Sequence, residues 1–182
     1  MRDYLPIENH GIIGDLHTVA LVGTDGTIDW FCPERFDFPS VFAAILDKGK
    51  GGHYRIAPEG DEYTTKQLYF PDTNVLITRF LTPDGVGEVE DFMAIHRDPA
   101  HRRRLIRRVL CVRGEMRFGV ECEPRFDYAR EAHETQLHPH GAVFSTPKLS
   151  LMLSSQAPLE PTEQGARAGF SLSDGQSRTF VL

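Results

Sequence analysis

Apolar and polar residues alternate in short runs along most of the chain. Residues 18–22 form one apolar run and residues 27–31 a second, separated by Thr24-Asp25-Gly26. Asp-Gly between two such runs predicts a tight hairpin, because both central positions tolerate φ > 0. In the returning run, Ile28 and Trp30 share one face and Thr27, Asp29 and Phe31 the other, which places Trp30 in the core. Pro33 ends that strand, and residues 34–38 read as a loop. Val41, Phe42, Ile45 and Leu46 fall on one side of a helical pattern, so one short helix is expected near residues 40–47, stopped by the Gly-rich stretch at 49–52.

Beyond this point the pattern is β-type. Strands are expected at 53–57, 66–69, 73–81, 87–93, 141–145, 148–154, 168–172 and 177–182. Residues 105–113 and 115–123 read as a hairpin about Arg113-Gly114. Met116, Phe118, Val120 and Cys122 alternate with Arg117, Gly119, Glu121 and Glu123, giving the second of these runs one wet face. Residues 1–11 read as a lead-in and 96–104 as a polar loop. Many short strands and little helix predict a mainly β protein, an antiparallel β-sandwich in one domain over 1–182. The run Thr179-Phe180-Val181-Leu182 is apolar to its end, which fits either a last strand that ends flush or a boundary with a further domain.

Charge narrows the function classes. The formal net charge of −6 argues against a nucleic-acid or anionic-membrane partner. The basic runs Arg102-Arg103-Arg104 and Arg107-Arg108 carry no interleaved aromatics and read as solvated or ion-paired. No apolar run approaches the roughly 20 residues that span a bilayer, and MRDYLPIENH shows no signal-peptide core. Cys32, Cys111 and Cys122 are odd in number and widely spaced, which points to reduced thiols and a cytoplasmic setting. Cys111 and Cys122 would then be a buried thiol pair facing each other across the expected hairpin. His96, His101, His133, His138 and His140 lack acidic or Cys partners at fixed spacing, so neither a metal nor a cofactor is expected.

Several carboxylates crowd the first third: Glu8, Asp15, Asp25, Asp29, Glu34 and Asp37. Glycoside hydrolysis needs two such groups about 5–9.5 Å apart, but each of these has a simpler role. Asp25 is a turn residue, Asp15 after Gly14 is a local cap, and Asp37 pairs with Arg35 or caps the next segment. Phe36 and Phe38, flanked by Arg35, Asp37 and Pro39, are better candidates for a surface that meets something.

These residues also carry a resemblance. Ile12-Ile13-Gly14-Asp15, Asp25-Gly26-Thr27-Ile28-Asp29-Trp30, Arg35-Phe36-Asp37 and Pro39-Ser40-Val41-Phe42 resemble the opening of bacterial glycoside hydrolase family 15 proteins, the trehalase-like and glucoamylase-like enzymes. Thr73-Asn74-Val75-Leu76, Asp91-Phe92-Met93, Arg107-Arg108 and Pro124-Arg125-Phe126-Asp127-Tyr128 continue it along the chain. The resemblance implies a super-sandwich type β-domain ahead of an α/α toroid that carries the catalytic acid and base. This chain resembles only the first part, so no catalytic residue is expected in it. The implied partners are the catalytic domain and, through it, an α-glucoside such as trehalose or maltodextrin. Arg35, Phe36, Asp37 and Phe38 are the candidates for a domain interface or the active-site mouth. Phe38 departs from the family's usual small Ser. Gly14, Asp15, Asp25, Gly26, Asp29 and Trp30 are expected to be structural. The competing expectation is a stand-alone carbohydrate-binding or assembly module.

Overall fold

The computed structural model describes residues 4–60, 62–95 and 103–182. In chain order the strands are β1 (His10–Gly14), β2 (Val19–Gly23), β3 (Thr27–Phe31), β4 (His53–Pro58), β5 (Thr64–Tyr69), β6 (Leu76–Leu81) and β7 (Gly85–Met93). They continue as β8 (Leu105–Glu123), β9 (Glu134–His138), β10 (Gly141–Ser145), β11 (Ser150–Ser155), β12 (Glu160–Pro161), β13 (Ala166–Ser173) and β14 (Ser177–Val181). A single helical turn, α1 (Phe126–Ala129), follows β8. Among the described residues every pairing is antiparallel, as expected for a mainly β chain.

The two layers share one strand. The N-terminal half of β8 lies between β7 and β14, and its C-terminal half between β4 and β13. One layer therefore runs β1-β2-β3-β4-β8-β13-β12 and the other β5-β6-β7-β8-β14-β11-β10-β9. The switch occurs at Gly114, where φ is +81° and an added Cβ would lie 2.1 Å from the Asp84 carbonyl oxygen. The expected hairpin at Arg113-Gly114 is thus corrected: residues 105–123 form one strand. A lone left-handed glycine, with the register shift at Val86/Gly87 beside it, re-aims a strand, whereas reversal needs two turn residues. The inward phase moves with it, from Leu105, Val109 and Cys111 to Met116, Phe118, Val120 and Cys122.

Two further expectations change. Cys111 and Cys122 are both buried and free, but eleven residues of one extended strand separate them by roughly 35 Å. They do not face each other. Residues 40–47 form turns rather than a helix. Their peptide N–H groups are committed elsewhere: Val41 and Phe42 to the Phe31 carbonyl, Ala43 to Gly51 and Ala44 to Gly52. A helix could leave these first-turn donors free, but it would need the Ile45 N–H to reach the Val41 carbonyl. That N–H donates to Asp29 O at 3.2 Å instead, and the Val41 and Phe42 carbonyls accept from the N–H groups of Arg125 and Phe31.

A bulge in β3 decides the fate of Trp30. Leu21 pairs with Trp30 but Val22 with Ile28, so Asp29 has no counterpart. A one-residue slip exchanges the two faces. Ile28 and Phe31 therefore face the core, and Trp30 is half-buried rather than core. β1, hidden in the sequence between two glycines, forms the edge beyond β2. Its outward backbone is sealed: the Tyr69 hydroxyl bonds both the N–H and the carbonyl of Ile12, and Asn74 Nδ2 donates to the Gly14 carbonyl. Sealed edges resist strand-to-strand association.

Between the layers sits a charge. Arg107 is fully buried and grips Asp91, Nε to Oδ1 at 2.7 Å and Nη2 to Oδ2 at 3.3 Å. Its remaining donors reach the carbonyls of Tyr54 and Gly26, each at 2.7 Å, and its guanidinium lies 4.7 Å from the Tyr54 ring centre. Arg107 is thus ion-paired, one of the two expected states, but in the core rather than on an outer face, while Arg108 does face outward and pairs with Glu90 at 3.1 Å.

Candidate functional site

The loop after β3 is pinched at its base and open at its tip. The Phe31 N–H donates to Phe42 O and the Val41 N–H to Phe31 O, each at 2.9 Å. Cys32 and Pro33 are buried just inside this clamp, as is Ser40 at the far end. Between them Arg35, Phe36 and Asp37 stand in solvent, Phe36 at 59% exposure, while Phe38 is half-buried. Arg35 Nε lies 3.2 Å from Asp37 Oδ1. An exposed pair of this kind adds at most about 1 kcal/mol. The loop therefore presents an apolar ring and a charge pair without relying on them for stability.

A strained turn abuts one end of this loop. The Arg125 N–H donates to the Val41 carbonyl at 2.8 Å, and the Tyr128 N–H to the Ser40 carbonyl at 3.3 Å. Within α1, Asp127, Tyr128 and Ala129 have φ of 50°, 56° and 63°, so the turn is left-handed. Each such non-glycine residue costs about 1–2 kcal/mol. The turn holds the Tyr128 ring 6.3 Å from Trp30, with the Arg130 guanidinium 5.5 Å from the Tyr128 ring centre. Arg130 also bonds Asp127 at 2.8 Å. Phe126, by contrast, is buried against His133 at 5.2 Å, and His133 meets Phe144 at 5.9 Å. Burial, with Arg125 nearby, holds the His133 pKa below its ordinary value.

The other end of the loop borders a groove of about 760 Å³, lined in part by Pro33, Glu34, Arg103, Leu149, Met152 and Leu182. Glu34 and Arg103 close one rim with a 3.0 Å ion pair, and Met152 stands 66% exposed. Loop, aromatic pair and groove thus share one stretch of chain.

The remaining residues singled out in the sequence serve the scaffold. Asp15 is buried, and its Oδ1 accepts from the N–H groups of His17 and Thr18 at 2.9 and 3.0 Å. Asp25 Oδ1 accepts from the Thr27 N–H at 3.0 Å. Gly26 has φ of +80°, and an added Cβ would meet the Ile56 carbonyl oxygen at 2.1 Å. Asp29 Oδ2 lies 2.9 Å from His10 Nε2, and burial holds its carboxyl above the ordinary range. Gly14 ends β1. Glu8 lies in a 3₁₀ turn at 7–9.

Sequence reasoning missed Tyr128, Arg103 and the groove. Tyr128 had a signal, because Arg125-Phe126-Asp127 repeats the triplet Arg35-Phe36-Asp37. Nothing in either triplet announces that one Phe is exposed and the other buried. His138 and His140 are exposed around the β9–β10 turn, and His133 is stacked as described. No group of three or more His, Cys, Asp or Glu able to hold a metal occurs among the described residues. His96, His101 and Arg102 lie outside them. No helix among the described residues is long and apolar enough to cross a membrane.

Comparison with known proteins adds a consistent set of relatives. The family description "Trehalase-like, N-terminal" matches residues 2–159. A trehalase of Mycolicibacterium smegmatis is 36% identical over 141 residues, covering 69% of this chain and 21% of that protein. A trehalase of Thermoplasma volcanium is 33% identical over 165 residues, covering 87% and 26%. One from Thermoplasma acidophilum is 34% identical over 146 residues, covering 77% and 25%. The chain spans about a fifth to a quarter of the length of these curated relatives.

Proposed function

The chain belongs to the trehalase-like N-terminal family, and from that premise we propose that it is the non-catalytic β-sandwich of an inverting α-glucoside hydrolase acting on trehalose. In such an enzyme one carboxylic acid protonates the leaving oxygen and a second carboxylate activates water from the opposite face. Both groups belong to a catalytic domain, an α/α toroid of the glycoside hydrolase family 15 type, on which this sandwich packs. The observation that carries the reading is the match to trehalases over only a fifth to a quarter of their length.

The geometry supports it. Asp15 and Asp25 bond neighbouring backbone, Asp29 bonds His10, Glu34 pairs with Arg103 and Asp37 with Arg35. Trehalose is preferred to maltodextrin because the relatives are named trehalases. Three buried free thiols support a cytoplasmic enzyme.

Arg35, Phe36, Asp37 and Phe38 form the part of the sandwich that reaches the catalytic domain near its active-site mouth. Phe36 packs in the interface, and Arg35 either hydrogen-bonds sugar hydroxyls or holds Asp37. The test is Arg35→Ala in the intact enzyme. A raised KM or a lowered kcat for trehalose, with the melting temperature preserved, is expected. Unchanged turnover and affinity would remove the loop from function. The half-exposed Trp30–Tyr128 pair favours one second reading, a carbohydrate-binding module. Affinity of the isolated chain for α-glucans that is lost in Tyr128→Ala would support it.

A further inference from the structure

A separate cavity, of about 260 Å³, lies on the outer face of β3 and β4 under the N-terminal segment. Thr27, Asp29, His53 and Arg55 line it, and Tyr4 and Leu5 border it. Tyr4 is held there by its hydroxyl, which accepts from the Lys48 N–H at 3.0 Å. Two of its lining residues carry buried polar atoms with no hydrogen-bond partner, Asp29 Oδ1 and Arg55 Nε. The other ends of both side chains are committed: Asp29 Oδ2 to His10 at 2.9 Å, and Arg55 Nη2 to the Tyr63 hydroxyl at 3.0 Å. Native proteins seldom leave buried polar atoms unpaired, and each such atom calls for an explanation.

The two orphans are complementary. The carboxylate oxygen accepts, and the guanidinium N–H donates. A hydroxyl is the neutral group that does both at once. The charged lining is balanced, with Asp25 and Asp29 against Lys48 and Arg55, so no net charge is demanded of a ligand. Tyr4 and Leu5 add an apolar wall suited to the C–H face of a sugar ring. The volume lies just below the range of pockets for drug-sized ligands, which suits one ring rather than two.

We propose that this cavity binds a single pyranose or a polyol of similar size, with neighbouring hydroxyls donating to Asp29 Oδ1 and accepting from Arg55 Nε. The site stands on the cavity and its two orphan atoms. Only the choice of D-glucose as first probe rests on the trehalase reading.

The experiment is an amide NMR titration of the 182-residue chain with D-glucose, and with myo-inositol in parallel. Saturable shifts at Thr27, Asp29 and Arg55 are expected. Ala44→Leu, which adds bulk at a residue lining the cavity, should weaken binding about tenfold or more. Arg55→Lys, which removes the Nε donor, provides a second variant if the first does not fold. Saturable binding of myo-inositol without glucose would uphold the site and count against the trehalase reading. Shifts that do not saturate, or that survive in both variants, overturn the proposal. So does a glucose-soaked crystal in which water alone bonds the two orphan atoms.

Discussion

Replacing Arg107 by Met should be among the most damaging single changes in this fold. The substitution keeps most of the side-chain volume but removes the charge. Asp91 would be left fully buried without the partner that now meets both its oxygens at 2.7 and 3.3 Å. The carbonyls of Tyr54 and Gly26 would lose their 2.7 Å donors as well. Removing one member of a buried ion pair costs about 3–5 kcal/mol. These losses overlap, and the Gly26 carbonyl keeps its 3.1 Å bond from the Ile56 N–H, so the carbonyl losses are taken as part of that figure. For a chain of this size the melting temperature should fall by roughly 10 °C.

Urea unfolding followed by circular dichroism measures the loss, and its pH dependence tests the cause. Burial already raises the Asp91 pKa above 3.8, against the lowering effect of Arg107. Without Arg107 it rises further. A carboxyl raised in the folded state contributes stability that is present at low pH and lost as pH rises through its folded pKa. The deficit of Arg107→Met should therefore be largest near neutrality and shrink as the buffer is acidified. Adding Asp91→Leu should recover most of it, because an apolar pair of similar volume replaces a buried ion pair at little cost. A loss below about 1 kcal/mol, or a double variant no more stable than the single one, would refute the reasoning.

Other outcomes follow from the same geometry. Ala129→Gly should stabilise the chain by about 1 kcal/mol, since glycine adopts the observed φ of 63° without the Cβ penalty; differential scanning calorimetry reads it. His133 has a folded pKa below 6.5. Its contribution is complete above that value and is lost as pH falls, when the unfolded chain takes up a proton that the folded ring resists. In urea titrations across that range, His133→Phe should flatten this part of the pH–stability curve.

Much of the scaffold was legible because it rests on local rules. Asp25-Gly26 makes its turn, Asp15 caps its own, and Met116 to Cys122 alternate as written. The departures arise where one residue changes the phase. A single bulge at Asp29 turned Trp30 out of the core, and a single glycine carried β8 from one layer to the other. Period-2 patterns look the same on either side of such a slip. Arg107 was hidden by its neighbour, since Arg107-Arg108 reads as surface until the topology sets Asp91 opposite it. The left-handed turn at Tyr128 contains no glycine to announce it. The loop at Arg35–Phe38 was recognisable as exposed, but its neighbours Trp30 and Tyr128 come together only through contacts between distant parts of the chain.

The central claim is that this domain serves a trehalase without performing its chemistry. The direct measurement is trehalose hydrolysis by the purified 182-residue chain beside the product of the intact reading frame, with the anomer of released glucose followed by NMR. The account predicts turnover with release of one β- and one α-glucose from the intact product, and none from the chain alone. Robust trehalose turnover by the 182-residue chain, or an intact reading frame that encodes no further domain, would contradict it.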